Sequence, residues 1–378
     1  MNILYFCAHL EGGLADYASY QAHALAQSKT LRVYWLGPLG LDPPIGVFPL
    51  DPLRIFVRNK SRSKLLRGLN HASNIILSYY ALKKQIAVCK PEFVILSSWN
   101  EYFSPLWSFW FRHLRSSGIR FCAVIHDPVR SYVVGPNWWH RFSIRQAYSF
   151  LDIVFTHDTR PLDLCNSNAT FDRVQIPHGP YNVPVGGLDK LRLRRDFNIP
   201  SESIVLLSFG HIRDSKNLDQ IIKSLPHLPS VHLVIAGTPQ SASQKDPSFY
   251  NGLAQSLGVQ ERCHWYTQYI DISLVWKFFR VSDILMLTYD SSFFSASGVL
   301  GINASFQLPV IASAAEGPLL DAVRNYNLGL ILESPDAGSI ANAVPRALQI
   351  EGEWQRFAND NSWQANAERM LEALTCKC

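Results

Sequence analysis

Three cationic side chains follow a buried apolar run in the middle of the chain. Residues 204–209 (IVLLSF) have the unbroken apolar character of a strand that is buried on both faces of a parallel sheet, and Gly210 ends the run. His211, Arg213 and Lys216 come directly after it. Cations between the carboxyl end of a strand and the N-terminus of a helix suit an anionic ligand such as a phosphate. The alternative, a loop whose charges are merely solvated, stays open on spacing alone.

The segment after these cations has helical spacing. Asp214 or Ser215 is available as the N-cap of the helix. Four apolar residues follow at the i, i+3, i+4 and i+7 positions of a helix that packs one face against a core: Leu218, Ile221, Ile222 and Leu225. The sequence therefore predicts strand, turn and helix in this order, which places the cations at one edge of a sheet.

Two positions in the first half have a similar setting. Gly12 and Gly13 lie between an apolar N-terminal run and a helical segment, where the backbone must turn tightly or approach a ligand closely. His126 and Asp127 follow the apolar run 121–125. An imidazole and a carboxylate at the end of a strand suit hydrogen bonding to ligand hydroxyl groups, or proton transfer near pH 7. Both pairs also have a purely structural explanation, as turn and loop residues.

Several segments of the second half, in one order, resemble a known family. The first is the strand, Gly, Arg, Lys and helix pattern described above, followed by VHLVIAG at 231–237. The second is WKFFRVSDILMLTY at 276–289, and the third is SGVLGINASFQLPVIAS at 297–313. Together they resemble glycosyltransferase family 4, whose members have the GT-B fold. The resemblance implies an α/β protein with two doubly wound Rossmann-like domains that face a cleft, and a C-terminal helix that crosses back.

The resemblance also implies an activity. Family members move a sugar from a nucleotide diphosphate sugar to an acceptor, which here would be a glycan or a lipid-linked glycan of a polysaccharide or cell-envelope pathway. Retention of the anomeric configuration is implied by the resemblance alone. Arg213 and Lys216 would stabilise the departing diphosphate, so the sequence predicts no metal and no cofactor beyond the nucleotide sugar as co-substrate.

The candidate residues combine these patterns with the resemblance. The predicted catalytic residues are His126, Arg213 and Lys216. His178, in Ile-Pro-His-Gly, stands where the family commonly has Asn. The predicted donor- or substrate-binding residues are Gly12, Gly13, Asp16, Asp127, His178, Gly210, Tyr269, Ile270, Ser297, Gly298, Val299 and Glu316.

One departure from the family pattern keeps other functions open. Family members carry two glutamates eight positions apart, and these positions fall on Phe294 and Ile302, whose side chains cannot accept a hydrogen bond from a ribose hydroxyl. A non-catalytic protein that binds sugar nucleotides is one alternative. A sugar-nucleotide epimerase on the same fold is the other, and it would change the donor without an acceptor.

Alternating strands and helices predict the domain organisation. We expect an acceptor-side domain at 1–185, a nucleotide-sugar-binding domain at 186–352, and a helix at 353–378 that packs back on the first domain. The predicted strands are 2–7, 31–37, 53–57, 92–97, 120–125, 152–155 and 173–177 in the first domain, and 204–209, 231–236, 262–266, 283–289, 309–313 and 329–332 in the second.

Charge and aromatic residues raise the question of a membrane surface. A basic cluster without acidic residues extends from Arg54 to Arg67, and it is followed by an aromatic-rich stretch at 102–111 and by Trp138 and Trp139. Such a cluster binds anionic lipid headgroups, while aromatic side chains favour the lipid–water interface. A solvated basic face and a set of core aromatics explain the same pattern, so both interpretations stay open.

The remaining composition limits the compartment and the partners. The seven cysteines form no metal-spaced pairs and are odd in number, which favours a reducing compartment over a disulfide framework. The N-terminus lacks a basic signal-peptide region and no apolar run reaches the length of a spanning helix. We therefore expect a cytoplasmic protein, peripheral at the inner face of the membrane if the basic cluster binds lipid. No nucleic-acid motif is present.

Overall fold

The computed structural model divides the chain into two compact units. Unit 1 comprises Met1–His178 and Ser362–Cys378, and unit 2 comprises Gly179–Asn361. The residues that the structure describes are 1–53, 64–126, 133, 135–165, 169–239 and 244–376, with the backbone alone for 64–69. The sequence analysis places the boundary near 185, whereas the structure places it between His178 and Gly179.

Each unit has one parallel sheet. The strands are β1 Asn2–Phe6, β2 Arg32–Leu36, β3 Phe48–Pro49, β4 Phe93–Leu96, β5 Arg120–Ile125, β6 Ile153–Thr156, β7 Asp172–Gln175, β8 Ile204–Phe209, β9 Val231–Ala236, β10 Cys263–Tyr266, β11 Ile284–Thr288, β12 Val310–Ser313 and β13 Gly329–Ile331. The strand orders are β3-β2-β1-β4-β5-β6-β7 and β10-β9-β8-β11-β12-β13. Both orders reverse direction once, at β1/β4 and at β8/β11. Ligands of doubly wound sheets bind outside the carboxyl ends of the strands at such a reversal.

The helices lie between the strands. Their bounds are α1 Gly13–Ala26, α2 Lys64–Cys89, α3 Ser108–Ser116, α4 Asn137–Tyr148, α5 Lys190–Asp196, α6 Leu218–Ser224, α7 Pro247–Ser256, α8 Ile272–Val281, α9 Gly298–Asn303, α10 Pro318–Asn325, α11 Ala337–Ala347, α12 Trp354–Asp360 and α13 Trp363–Thr375. The helix expected over 353–375 is thus two helices. Ser362 interrupts it because its side chain accepts a hydrogen bond from the Ala365 amide (3.1 Å) and begins a new helix.

Observed and predicted strands agree closely, with two differences. Every predicted strand but one overlaps an observed strand to within two residues at each end. The exception, 53–57, falls mostly outside the described residues, and Leu53 makes an isolated bridge to Pro38. The sequence analysis does not predict β3, because two residues are too few to show a period.

Helix α13 belongs to unit 1 through a buried polar network. Asn366 is fully buried, its Oδ1 accepts from Gln21 Nε2 (2.8 Å), and its Nδ2 donates to the Pro177 carbonyl (2.7 Å). Gln21 also accepts from the Tyr5 hydroxyl (2.7 Å). These bonds satisfy polar groups that would otherwise destabilise the core, so they fix α13 beside α1.

The glycines at the ends of β8 and β9 allow a close backbone approach in unit 2. Gly210 has φ +88° and Gly237 has φ +139°. A Cβ on Gly237 would lie 2.2 Å from the Gly210 carbonyl oxygen, so no larger residue fits there without moving the backbone. The Gly210 amide donates to the Ala236 carbonyl (2.9 Å) and the Gly237 amide to the Tyr266 carbonyl (2.9 Å). The ends of three strands are thereby held together where the cationic loop begins.

Candidate functional site

The loop after β8 is a 3-10 turn that is tied to the end of β11. Asp214–Lys216 form the turn, and Asn217, with φ 52°, precedes α6. The N-cap prediction for Asp214 or Ser215 is therefore wrong: Asn217 occupies that position and makes no side-chain cap. Its Nδ2 donates instead to the Thr288 carbonyl (3.0 Å), while the Thr288 hydroxyl donates to the Lys216 carbonyl (3.0 Å). This tertiary tie sets the turn geometry in place of a local cap.

Lys216 is buried at the carboxyl end of β8. Its Nζ donates a hydrogen bond to the Phe209 carbonyl. Burial, with a smaller contribution from the Arg213 charge, lowers the pKa of Lys216 to about 7. Because the ordinary pKa of a lysine is about 10.4, the ammonium form is poorly stabilised and an anionic ligand would favour it.

Arg213 lies on an aromatic pair. The rings of Tyr289 and Phe293 stack with centroids 3.9 Å apart, and the guanidinium carbon lies 5.1 Å from the first centroid and 5.3 Å from the second. The Nε atom of Arg213 is buried and has no hydrogen-bond partner within the described part of the chain. The side chain is thus positioned by the two rings and by a hydrogen bond to Tyr289, and it has no ion pair with an acidic residue among the described residues, which leaves its charge available for an anion.

Two of the residues predicted from the Ser-Gly-Val segment lie beside these cations. A Cβ on Gly210 would meet Lys216 Nζ at 3.4 Å and Val299 Cγ2 at 3.5 Å. Ser297 is buried and caps α9 by accepting from the Leu300 amide (3.4 Å). Burial raises the pKa of the Tyr289 phenol, whereas the Arg213 charge and a hydrogen bond with Ser297 oppose this rise. The structure therefore brings Gly210, Lys216 and Arg213 together with Ser297 and Val299. Gly298 follows Ser297 as the first residue of α9, against the Tyr181 ring.

Three other predicted residues of unit 2 have contacts, described below, that involve neither Arg213 nor Lys216. Tyr269 is 73% exposed, and Ile270 packs against the core of the unit. Glu316 is exposed and pairs with Arg324 (3.2 Å). Its loop follows β12, and the neighbouring Ala315 amide donates to the Phe293 carbonyl (3.1 Å). Ile302, at one position of the missing glutamates, packs against the same core.

In unit 1, His126 lies against Tyr17. The His126 ring makes an edge contact with the Tyr17 ring, with centroids 4.6 Å apart. Its Nε2 bonds to the Ser97 carbonyl (3.0 Å), and because a carbonyl only accepts, Nε2 carries the proton. This bond fixes the tautomer of His126 at the carboxyl end of β5. Asp127, predicted beside it, lies outside the described residues.

Two further histidines complete a cluster around Tyr17. The His157 ring lies 5.7 Å from that of His126 and 5.1 Å from that of His178, and all three contact Tyr17. Trp363 of α13 contacts Tyr17 and His178. Burial, with the charges of the two neighbouring histidines, holds the pKa of His157 well below its ordinary value. His157 is therefore neutral at physiological pH.

The sequence analysis missed His157, although a signal was present. His157 follows β6 directly, as His126 follows β5, and the carboxyl ends of neighbouring parallel strands meet at one sheet edge. Gly12 (φ +87°) is the N-cap of α1, the helix of Tyr17, Gly13 is its first residue, and Asp16 is exposed in its first turn. The glycines thus start the helix that supplies the centre of the cluster.

Comparison with known proteins identifies first the fold. A sucrose-phosphate synthase from Thermosynechococcus elongatus superposes with a TM-score of 0.69 at 17% identity, covering 99% of this chain and 98% of the other. Anabaena HepE in complex with UDP superposes with a TM-score of 0.68 at 13% identity, covering 100% of both chains. At such identities the likeness shows the fold alone, and that fold is GT-B, as the sequence predicts.

The sequence comparison finds similarity to one family of glycosyltransferases. The model of the family "Glycosyl transferases group 1" matches residues 189–370, which lie mostly in unit 2. D-inositol 3-phosphate glycosyltransferase of Mycobacteroides abscessus is 26% identical over 228 residues, which are 58% of this chain and 50% of that protein. The chain spans about half the length, or less, of the curated relatives it matches.

Proposed function

We propose that the protein transfers a sugar from a nucleotide diphosphate sugar to an acceptor hydroxyl. The observation that carries this proposal is the pairing of Arg213 and Lys216 beside Gly210 at the carboxyl end of β8. Negative charge develops on the diphosphate as the glycosidic bond breaks, and two cations that are already in place stabilise it without rearrangement. The family of residues 189–370 supports the same reaction class.

This arrangement supports chemistry without a metal ion at the phosphate site. Arg213 offers donors in a planar fork suited to phosphate oxygens, and Lys216 supplies a second charge from below the strand. The two cations would stabilise the negative charge of the phosphate oxygens, as a divalent ion does in other phosphate sites. The neighbour HepE was solved with UDP, which makes UDP the first diphosphate to test here.

The histidine cluster of unit 1 supports a role in binding hydroxyl groups. His126, His157 and His178 lie at or just after the ends of neighbouring strands, and the neutral His157 neither repels a cation nor attracts an anion. Imidazole nitrogens donate and accept hydrogen bonds, as sugar recognition requires. We propose that His126 binds the transferred sugar or its acceptor, which we place among glycans or lipid-linked glycans.

A non-catalytic binding protein is the second candidate, and one observation favours it. Ile302 packs against the core of unit 2, and its side chain at the second position of the family's glutamate pair offers no acceptor for a ribose hydroxyl. A sugar-nucleotide epimerase keeps the same phosphate site and needs no acceptor. Turnover separates the three functions, because only transfer consumes acceptor and only epimerisation changes the donor alone.

The proposal is tested first by nucleotide binding. A thermal-shift titration with UDP, GDP, ADP, CMP and dTDP, with and without EDTA, should give a shift with one diphosphate that EDTA does not remove. Stabilisation of about 2.7 kcal/mol is expected at a hundredfold excess over the dissociation constant. Sugar conjugates of that diphosphate are then offered with glycan and glycolipid acceptors. No shift with any of the nucleotides would contradict the phosphate site, and binding without any turnover would establish the second candidate.

An aromatic and basic surface of unit 1 supports attachment to a membrane. The lipid-facing patch that we propose consists of exposed Leu77, Tyr80, Leu106 and Phe109 with Lys83, Lys84 and Trp110. Lys83 lies over the Trp110 ring (5.5 Å) and Lys84 over the Tyr80 ring (4.9 Å).

The basic cluster predicted from the sequence is described only in part. Its residues between 54 and 63 lie outside the described residues, and for Lys64 and Arg67, at the start of α2, the backbone alone is described. None of the described helices is long and apolar enough to cross a membrane.

Vesicle sedimentation tests this attachment. Vesicles with phosphatidylserine should sediment the protein, and added salt should weaken binding because it screens the charges. Replacing Lys83 and Lys84 together by Gln should weaken binding about 30-fold, because each charge near the surface contributes about 1 kcal/mol. Lys223→Gln in unit 2, where the lysine pairs with Asp219, is the matched control. Equal binding to neutral vesicles would contradict the electrostatic attachment.

A further inference from the structure

A second group of ligand-type side chains lies in unit 1, and the contacts described here for it involve none of the three clustered histidines. His140 projects from α4, whereas Asp163 and Cys165 lie in the segment after β6. Cys165 Sγ lies 3.2 Å from His140 Nε2 and 3.7 Å from Asp163 Oδ1. All three ligand atoms lie within 4.8 Å of one another. An imidazole, a thiol and a carboxylate thus converge on one point.

The imidazole is held in place from its other side. His140 is 8% exposed, and its Nδ1 lies 2.9 Å from the Tyr102 hydroxyl. The backbone of Tyr102 is tied to the same helix, since its carbonyl accepts from the Ser143 hydroxyl (3.2 Å). A ligand histidine in a metal site has a partner of this kind on its second nitrogen, which orients the ring and leaves Nε2 to coordinate.

The thiol and the carboxylate are held by one turn of the backbone. The Cys165 amide donates to Asp163 Oδ1 (3.2 Å), and Cys165 has φ 51°. A side chain other than glycine adopts this left-handed conformation at a cost of roughly 1–3 kcal/mol. The turn brings the thiol and the carboxylate of two residues separated by one position to the same side, toward His140.

We propose that His140, Asp163 and Cys165 bind a divalent zinc-class cation. Imidazole nitrogen, thiolate and carboxylate are the ligand types of zinc sites, whereas magnesium and calcium take oxygen ligands. Bond lengths of about 2.0 Å to nitrogen and 2.3 Å to sulfur place the two ligand atoms roughly 3.5 Å apart in a tetrahedral site, close to their separation here. The fourth ligand would be water. Binding converts the thiol to a thiolate and releases its proton to solvent.

Such a cation would join α4 to the segment after β6 within unit 1. Its residues differ from those proposed for phosphate binding in unit 2, and its test needs no nucleotide or sugar. Failure of the metal test therefore does not contradict the proposed transferase function, and failure of the nucleotide-binding test does not contradict the metal site.

Cobalt absorption tests the thiolate ligand. Protein without a histidine tag is freed of metal with a chelator and titrated with Co²⁺, which should produce a near-ultraviolet thiolate-to-cobalt band that saturates at one equivalent. Zinc should displace the cobalt. Cys165→Ser should abolish the band, and Cys89→Ser, which changes a half-buried cysteine of α2, should keep it. No band in the parent protein, or a band that survives Cys165→Ser, would overturn the proposal.

A second measurement tests the other two ligands and does not depend on the cobalt absorption band. Zinc competition with a chromophoric chelator should show at least tenfold weaker binding for Asp163→Asn, whose exposed side chain can change without loss of the fold. Zinc should also protect Cys165 from alkylation by iodoacetamide, as read from the peptide masses, and His140→Gln should remove the protection. Unchanged zinc affinity in Asp163→Asn would contradict the three-residue site, and alkylation of Cys165 at the same rate with zinc would show that its thiol does not bind the metal.

Discussion

Arg213→Ala is expected to lower the turnover of the donor by about 10²–10³, or about 2.7–4 kcal/mol of transition-state stabilisation. The guanidinium lies on the Tyr289 and Phe293 rings, with its Nε buried and without a partner in the described part of the chain. Its charge is therefore poised for a ligand rather than neutralised by the protein. The same variant should weaken binding of the free diphosphate at least tenfold, since hydrogen bonds to charged groups contribute about 1.5–3 kcal/mol.

Matched variants separate the charge from the packing. Arg213→Lys keeps a cation but loses the planar fork, so it should recover part of the binding and little of the turnover. Arg356→Ala removes an exposed arginine that pairs with Glu353, and it should leave both unchanged. Turnover and diphosphate affinity are measured with the donor identified by the nucleotide screen, and the melting temperature of each variant checks folding. Parent-like affinity and turnover in Arg213→Ala would place the phosphate site elsewhere.

Much of the fold follows from the sequence because buried strands and helices leave periodic patterns. The run 204–209 is observed as β8 with the same bounds, and the apolar spacing from Leu218 predicts α6. The turn between them was also predicted, but its N-cap residue was predicted wrongly. Asn217 bonds to Thr288, which lies 71 residues away and is not visible in a local pattern. Local capping rules fail where a tertiary hydrogen bond decides the geometry.

The sequence predicted which residues form the candidate site, but it did not predict the environment of their side chains. The motif places Arg213 and Lys216 after a strand, but it does not show that Lys216 is buried or that Arg213 stacks on Tyr289 and Phe293. Those properties require β8, the turn and the segment after β11 to meet. They also decide the chemistry, because burial changes the protonation of the lysine and stacking orients the arginine.

The cation site could not have been read from the sequence. His140 lies 25 residues before Cys165, and Asp163 is separated from Cys165 by one position, which matches no common metal-ligand spacing. The sequence analysis looked for pairs of cysteines and found none. Helix α4 and the segment after β6 bring the three side chains together only in the folded unit.

Diphosphate affinity is expected to fall as the pH rises above about 7, by roughly tenfold for each pH unit. The reason is the pKa of Lys216, which burial lowers to about 7. Above that pH the free site is neutral at Lys216, and a diphosphate that binds the ammonium form must bring a proton with it. Measurement between pH 7.5 and 9.5 avoids the titration of the diphosphate itself, whose last ionisation lies near 6 as in phosphate monoesters.

Calorimetry can count this proton directly. Titrations in two buffers of different ionisation enthalpy should show uptake of close to one proton per diphosphate at about pH 8.5. Lys216→Met fills the same buried space without a titrating group, so its affinity should be lower and nearly independent of pH. Arg213→Gln removes the second cause of the low pKa, so the fall in affinity should begin at a higher pH.

The ligand-free protein should respond to pH with the opposite sign. Because the pKa of Lys216 is lower in the folded chain than in the unfolded chain, unfolding takes up a proton between about pH 7 and the ordinary lysine pKa. The contribution of Lys216 to the free energy of unfolding therefore rises with pH over the range in which diphosphate affinity falls. Comparing the parent protein with Lys216→Met isolates this contribution by thermal melting. If the parent protein and Lys216→Met show the same pH dependence of affinity and the same pH dependence of stability, Lys216 is not the titrating group and the diphosphate lies elsewhere.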